Sequence, residues 1–128
     1  DTRRAGECRV SGPVIEALAG SPDLAARYAA FRDAAHDALG PELVEAVRGA
    51  VAEVHGAPVE HAPGEAPEAV LAFARRMVFE HTAITDEEAA AVASELGEPG
   101  LVALSVVAAL AEAECRARAI DLPGLASA

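Results

Sequence analysis

The stretch that decides the fold is ITDEEAAAVASELGEPGLVALSVVAALAEAECRA, residues 84–117. Thr85 followed three residues later by Glu88 is the pattern of a capping box, in which each side chain satisfies a backbone N–H of the other residue. The helix that starts there is predicted to end near Gly97, because glycine is common just past a helix end. A further helix is predicted over about residues 99–119. It is apolar on nearly every side, so we expect it to be buried in a core or in an interface.

Similar start and stop signals delimit the helices that precede this stretch. Proline near the start and glycine at the end are typical of helix boundaries. These signals and the apolar spacing predict helices over residues 13–20, 21–40, 41–56 and 68–79. A loop rich in proline and glycine is predicted over residues 56–67. The helix over 21–40 has an apolar stripe at helical spacing, formed by Leu24, Tyr28, Phe31, Ala35 and Leu39.

The pattern as a whole predicts one all-α domain. No stretch alternates between apolar and polar residues as a half-buried strand does. We therefore expect a single-domain helical bundle of about six helices over residues 13–128, preceded by a flexible N-terminal arm at residues 1–12. The last helix is expected to end at Pro123-Gly124.

Composition limits the classes of partner. The 128 residues are 52% hydrophobic but only 3% aromatic, so the core must be built from Ala, Val and Leu. A small core of this kind favours burial of a further face against a second copy of the chain. The formal net charge of −11 argues against nucleic acid and anionic membranes as partners. No uninterrupted apolar run reaches the roughly 18–20 residues of a membrane span, so the sequence predicts a cytoplasmic protein.

The two cysteines, Cys8 and Cys115, are far apart and match neither redox nor zinc-ligand spacing. Isolated thiols in a reducing compartment are the interpretation that the spacing favours, and a disulfide between them is the alternative. No cofactor motif and no recognised metal-ligand motif is present, so no cofactor and no metal site are predicted.

The candidate catalytic residues are Glu45, His55, Glu60 and His61. Glu45 lies among apolar neighbours on the helix over 41–56, and a partly buried carboxyl can act as an acid or base near neutral pH. The alternative for Glu45 is a solvent-exposed side chain near a helix start. Glu60 and His61 lie in the predicted loop, where histidine could shuttle protons. The alternative for this pair is an ordinary polar loop.

The segment around these residues resembles the carboxymuconolactone decarboxylase and alkylhydroperoxidase D-like family. That family has a helix with a Glu, then a glycine, a Cys-x-x-Cys and a following His. Here Glu45 stands twelve positions before Ala57, which occupies the position of the first Cys. Gly56 matches the family glycine. Glu60 occupies the position of the second Cys, as in a subset of the family, although without the aromatic residues that flank it there.

The resemblance extends over roughly residues 13–124, including residues 84–117. It implies an all-α fold that assembles as a homo-trimer or homo-hexamer. It also implies that Glu45 and a histidine belong to a proton relay, with His61 as the nearest substitute for the family His expected near Gly64. Because the thiol pair is replaced, we expect no thiol peroxidase activity. The chain also lacks the basic residue expected to hold the carboxylate of a lactone acid.

Two functions are compatible with this pattern. The first is a cysteine-free lyase or isomerase acting on a small organic molecule, with Glu45 and Glu60 as acid and base and His61 or His55 as proton shuttle. The alternative is a non-catalytic oligomeric binding or scaffold protein of the same fold. A metal-dependent or redox role through Cys8 or Cys115 is a third class.

Overall fold

The computed structural model describes residues 12–57 and 65–127. Within these ranges the chain forms six α-helices, one 3₁₀ turn and no strand, which confirms the predicted all-α class. The helices are α1 Pro13–Ala17, α2 Pro22–Leu39, α3 Pro41–His55, α4 Glu68–Phe79, α5 Asp86–Ala119 and α6 Leu122–Ala126, and the 3₁₀ turn spans His81–Ala83. Of the arm predicted at residues 1–12, only Gly12 lies within the described residues.

Local chemistry places most helix ends where the sequence predicts them. Each of the first three helices has a proline in its first turn, where the missing N–H would have no helical partner in any case. Helix α3 ends at Gly56, whose φ of 68° and ψ of 19° are left-handed. Glycine adopts this conformation without the steric penalty of a Cβ atom.

Helix α5 begins with the predicted capping box. The Glu88 N–H donates to Oγ1 of Thr85 at 3.1 Å, and the Thr85 N–H donates to Oε1 of Glu88 at 3.3 Å. The two helices predicted over residues 84–119 are the two arms of this one element, which is kinked at Gly97. Gly97 has φ 78° and ψ 168°, outside the helical region, and Pro99 follows in the next turn.

The predicted end of the last long helix near Ala119 is confirmed, but the stop signal predicted at Pro123-Gly124 is wrong. That helix ends at Ala119, and both residues lie inside the short helix α6. The physical reason is Asp121, a non-glycine residue at φ 49°, which turns the chain out of α5. Its carboxylate accepts from the Gly124 N–H at 3.4 Å, so Asp121 caps the helix that follows.

The core lies where α3, α4 and α5 meet. Small and β-branched side chains fill it, as the composition predicts. The largest fully buried residues are Leu104, Val47, Val51, Val70, Val92 and Val107. Helix α2 packs on α5 beside this core, and the short helices α1 and α6 pack against each other.

The apolar stripe predicted on α2 is only partly correct. Leu24 and Phe31 are exposed, whereas Arg32 and Leu39 are the buried residues of this helix. Helix α2 therefore presents a partly polar face to the bundle, because Arg32 takes a place that the stripe assigns to apolar side chains.

Helix α5 is the one helix of the described residues that is long and apolar enough, by length and composition, to cross a membrane. Core helices of soluble proteins meet the same criterion, and α5 supplies Val92, Leu104 and Val107 to the core. In its most apolar segment, 18 residues long, only 28% of the residues are buried in the protomer. The exposed apolar side chains of its second arm include Val102, Ala109 and Ala113, which the described parts of the chain leave uncovered.

Candidate functional site

Glu45 lies on α3 with 43% of its side chain exposed. Its Oε1 is 3.9 Å from Nη1 of Arg48, one helical turn further along. Exposed pairs of this kind contribute little to stability. The carboxylate is thus partly solvated and already beside a cation, rather than enclosed in an apolar environment.

His55 is the last residue of α3 and is half-buried. Its ring contacts that of Phe79 at the end of α4, with centroids 5.4 Å apart and planes tilted by 60°. Nε2 is buried and has no hydrogen-bond partner among the described residues. Most buried polar atoms in proteins have a partner, so this nitrogen is an unusual feature of the site.

The structure does not bring Glu45 and His55 together. They are ten residues apart on one helix, which separates them by about 15 Å along its axis at 1.5 Å per residue. Glu60 and His61 lie in the segment 58–64, outside the described residues. Within the described ranges, no group of three or more His, Cys, Asp or Glu residues could hold a metal ion.

A different set of polar side chains does converge, and sequence reasoning missed it. We call Tyr28, Arg32 and Glu114 the buried polar cluster. The Tyr28 hydroxyl donates a short hydrogen bond to Oε1 of Glu114. Nη1 of Arg32 lies 3.8 Å from the same oxygen, and the side chains of Arg32 and Glu114 are only 8% and 14% exposed. The Arg32 guanidinium also lies 5.8 Å from the centroid of the Tyr28 ring.

The spacing of residues on α2 explains how the cluster forms. Tyr28, Arg32 and His36 recur every fourth residue, which places them on one face of the helix. That face meets Glu114 near the end of α5. The four-residue recurrence of polar groups was a usable signal, whereas their partner on α5 was not predictable from local spacing.

Gly12 closes one side of the buried polar cluster. A Cβ atom at this position would lie 3.1 Å from Oε2 of Glu114 and 3.5 Å from Nη1 of Arg32. Gly12 also has φ +133°, a conformation that other residues rarely adopt. The backbone that enters α1 can approach the cluster this closely only because it has no side chain there.

The environment holds three ionisable groups near the cluster in their uncharged forms at neutral pH. Burial, reinforced by the hydrogen bond to Glu114, raises the pKa of Tyr28 well above its ordinary value of 10.0. Burial, with the nearby charges of Arg48 and Arg32, lowers the pKa of His36 below 6.5. Burial also raises the pKa of the Cys115 thiol above 9.0. A phenol and a thiol are much weaker nucleophiles than their anions, so Tyr28 and Cys115 suit polar core contacts better than nucleophilic catalysis.

No protein-family model, curated protein or solved structure matches this chain. The described residues form an all-helical bundle with a half-exposed Glu45 and a separate buried polar cluster between α2 and α5. Nε2 of His55 is buried and has no hydrogen-bond partner among these residues.

Proposed function

We propose that this protein is a self-associating binding or scaffold protein of the alkylhydroperoxidase D-like type, without thiol peroxidase activity. The observation that carries the proposal is the uncovered apolar surface of α5. Val102 is 63% exposed, although it lies in the one helix of the described residues that is long and apolar enough to cross a membrane. Ala109 and Ala113 are exposed on the same face of α5 as Val102, and a contiguous exposed apolar face favours association with another molecule.

Two further features support the part of the proposal that concerns peroxidase chemistry. Ala57 follows the left-handed Gly56 where the resemblance places the first thiol of the family motif. Burial keeps Cys115 in its thiol form, because its pKa is raised. A thiol is a far weaker nucleophile than a thiolate, so Cys115 is poorly suited to attack peroxide.

The molar mass in solution tests the proposal. We expect light scattering behind a size-exclusion column to give a multiple of the 13.0 kDa chain mass. The resemblance favours a trimer or a hexamer. A mass of one chain at every accessible protein concentration would overturn self-association. The ligand class proposed for this assembly is a small organic molecule, and cytoplasmic location is part of the same proposal.

A second candidate function is acid/base catalysis by a lyase or isomerase. The specific observation that favours it is Nε2 of His55, which is buried and has no hydrogen-bond partner among the described residues. His55 also stands only five residues before Glu60 in the sequence. An imidazole can exchange a proton with a bound substrate.

Substitution of the two carboxylates separates the two candidate functions. Turnover of a small lactone acid that is lost in both Glu45→Gln and Glu60→Gln, with an unchanged circular dichroism spectrum, would support catalysis. Full activity in both variants would eliminate the assignment. Glu87→Gln is a matched control, because it makes the same change at an exposed position on α5.

A further inference from the structure

The outward face of α5 has a regular composition. Residues recur on it in steps of three or four, which keeps them on one side of a helix. Its members are Glu98, Val102, Val106, Ala109, Ala113 and Arg116. We call this set the α5 stripe. Its members are exposed except Val106, which is half-buried. Val102 is 63% exposed.

The α5 stripe is apolar at its centre and oppositely charged at its two ends. Glu98 stands at the beginning and Arg116 near the end, with valine and alanine between them. Arg116 also lies 2.7 Å from Glu112 in its own chain and 5.9 Å from the Phe79 ring centroid. The Arg116 side chain is 60% exposed, so its guanidinium can also contact a second molecule.

We propose that two copies of this chain pair through the α5 stripe in an antiparallel, two-fold arrangement. This inference rests on the self-association proposed above and names the surface and its geometry. A two-fold axis between residues 107 and 108 places Val106 opposite the partner's Ala109, and Val102 opposite the partner's Ala113. Each larger side chain thus meets a smaller one, which suits close helix packing.

The charges select this orientation over a parallel one. In the antiparallel pair Glu98 lies beside the partner's Arg116 on the same side of the contact, and symmetry repeats the pair at the other end. A parallel pair would place Glu98 beside Glu98 and Arg116 beside Arg116. This contact requires a two-fold axis. A dimer and a hexamer with two-fold axes can therefore contain it, whereas a cyclic trimer cannot. The charges at the two ends of the stripe are therefore complementary to those of a second, antiparallel copy of this chain.

Charge exchange tests the geometry. We expect Glu98→Arg and Arg116→Glu each to raise the dissociation constant about tenfold, because each reverses two symmetric contacts. The dissociation constant of the double variant should return to within about threefold of the wild-type value. In that variant the attractive pairs form again, with the positive charge at position 98 and the negative charge at position 116. Arg118→Glu is the matched control, because Arg118 is exposed on the other side of α5. Sedimentation equilibrium over a range of concentrations gives each constant.

A fifth variant tests the apolar centre. Ala109→Arg places a charge beside the axis and should yield a monomer with an unchanged circular dichroism spectrum, since Ala109 is exposed in the protomer. A double charge variant weaker than either single one, or an Ala109→Arg variant that associates like the wild type, would overturn the pairing. If the wild type still associates in that case, the proposed self-association survives and only this interface is wrong. A wild-type monomer would overturn both.

Discussion

Tyr28 donates its hydroxyl hydrogen to Glu114, which lies 86 residues further along the chain. The hydrogen bond joins α2 to the end of α5, and Arg32 lies beside the same carboxylate. Both helices are thus held by a polar contact in addition to the apolar core. In a partly buried position such a bond is difficult for water to replace, so its loss leaves an acceptor without its partner.

Titration of Tyr28 can be observed directly, because it is the only tyrosine of the chain. We expect the tyrosinate absorbance of the folded protein to appear at a pH well above 10, since burial and the Glu114 hydrogen bond raise the pKa of the phenol. The urea-unfolded chain should titrate near the ordinary value of 10.0. Equal midpoints for the folded and the unfolded chain would contradict the described contact.

Removal of the hydroxyl should destabilise the fold. Tyr28→Phe keeps the ring near Arg32 but removes the donor to Glu114, so we expect a loss of about 1–2 kcal/mol in the free energy of unfolding by urea. Because the folded-state pKa of Tyr28 is raised, its contribution is complete below about pH 10 and declines as pH rises further. The difference between wild type and Tyr28→Phe should therefore shrink at alkaline pH. Arg75→Gln, which breaks an exposed pair with Glu68 at 3.2 Å, should cost much less.

The helices could be predicted from the sequence, whereas the contacts between them could not. Thr85 and Glu88 form a local capping box, and its chemistry is complete within one turn. Arg32 was not expected in the interior, because arginine is rarely buried without partners and those partners come from elsewhere in the chain. The candidate site shows the same limit. Alignment with a family motif gives the position of Glu45 but not that its side chain is 43% exposed beside Arg48.

Leu24 is exposed, although the sequence pattern assigns it to the apolar stripe of α2, and truncation of its side chain tests this difference. Leu104→Ala should cost about 2–5 kcal/mol of unfolding free energy, because Leu104 is fully buried and its truncation leaves a cavity. Leu24→Ala removes the same atoms from a position 53% exposed, and we expect a cost below about 1 kcal/mol. Urea unfolding of both variants gives the comparison. Similar losses of unfolding free energy in the two variants would show that Leu24 is buried, as the sequence pattern predicts.

His36 should titrate below 6.5 in the folded protein. Burial is the largest cause, and the positive charges of Arg48 and Arg32 add to it, while Asp33 and Asp37 oppose it. Because the unfolded chain binds the proton more readily, stability should fall as pH decreases below about 6.5, and His36→Gln should remove this part of the loss. Nuclear magnetic resonance titration of the imidazole measures the pKa.

Arg48→Gln provides the complementary measurement on His36. Removal of a nearby positive charge should raise the pKa of the imidazole toward 6.5. Arg75→Gln on α4 is the charge-matched control and should leave the titration unchanged. An unaltered His36 midpoint in Arg48→Gln would show that Arg48 does not contribute to the lowered pKa.

Cys115 should react slowly with thiol reagents. Burial raises the pKa of its thiol, and Glu114 and Glu112 reinforce the effect against Arg118 and Arg48. The reactive thiolate is therefore scarcer at pH 7.5 than in the unfolded chain, and access is also restricted. Iodoacetamide alkylation of Cys8→Ser, which leaves Cys115 as the only thiol, should be about tenfold slower in buffer than in urea. Removal of both thiols should leave peroxide consumption unchanged, whereas a cysteine-dependent rate would contradict the proposed absence of thiol peroxidase activity.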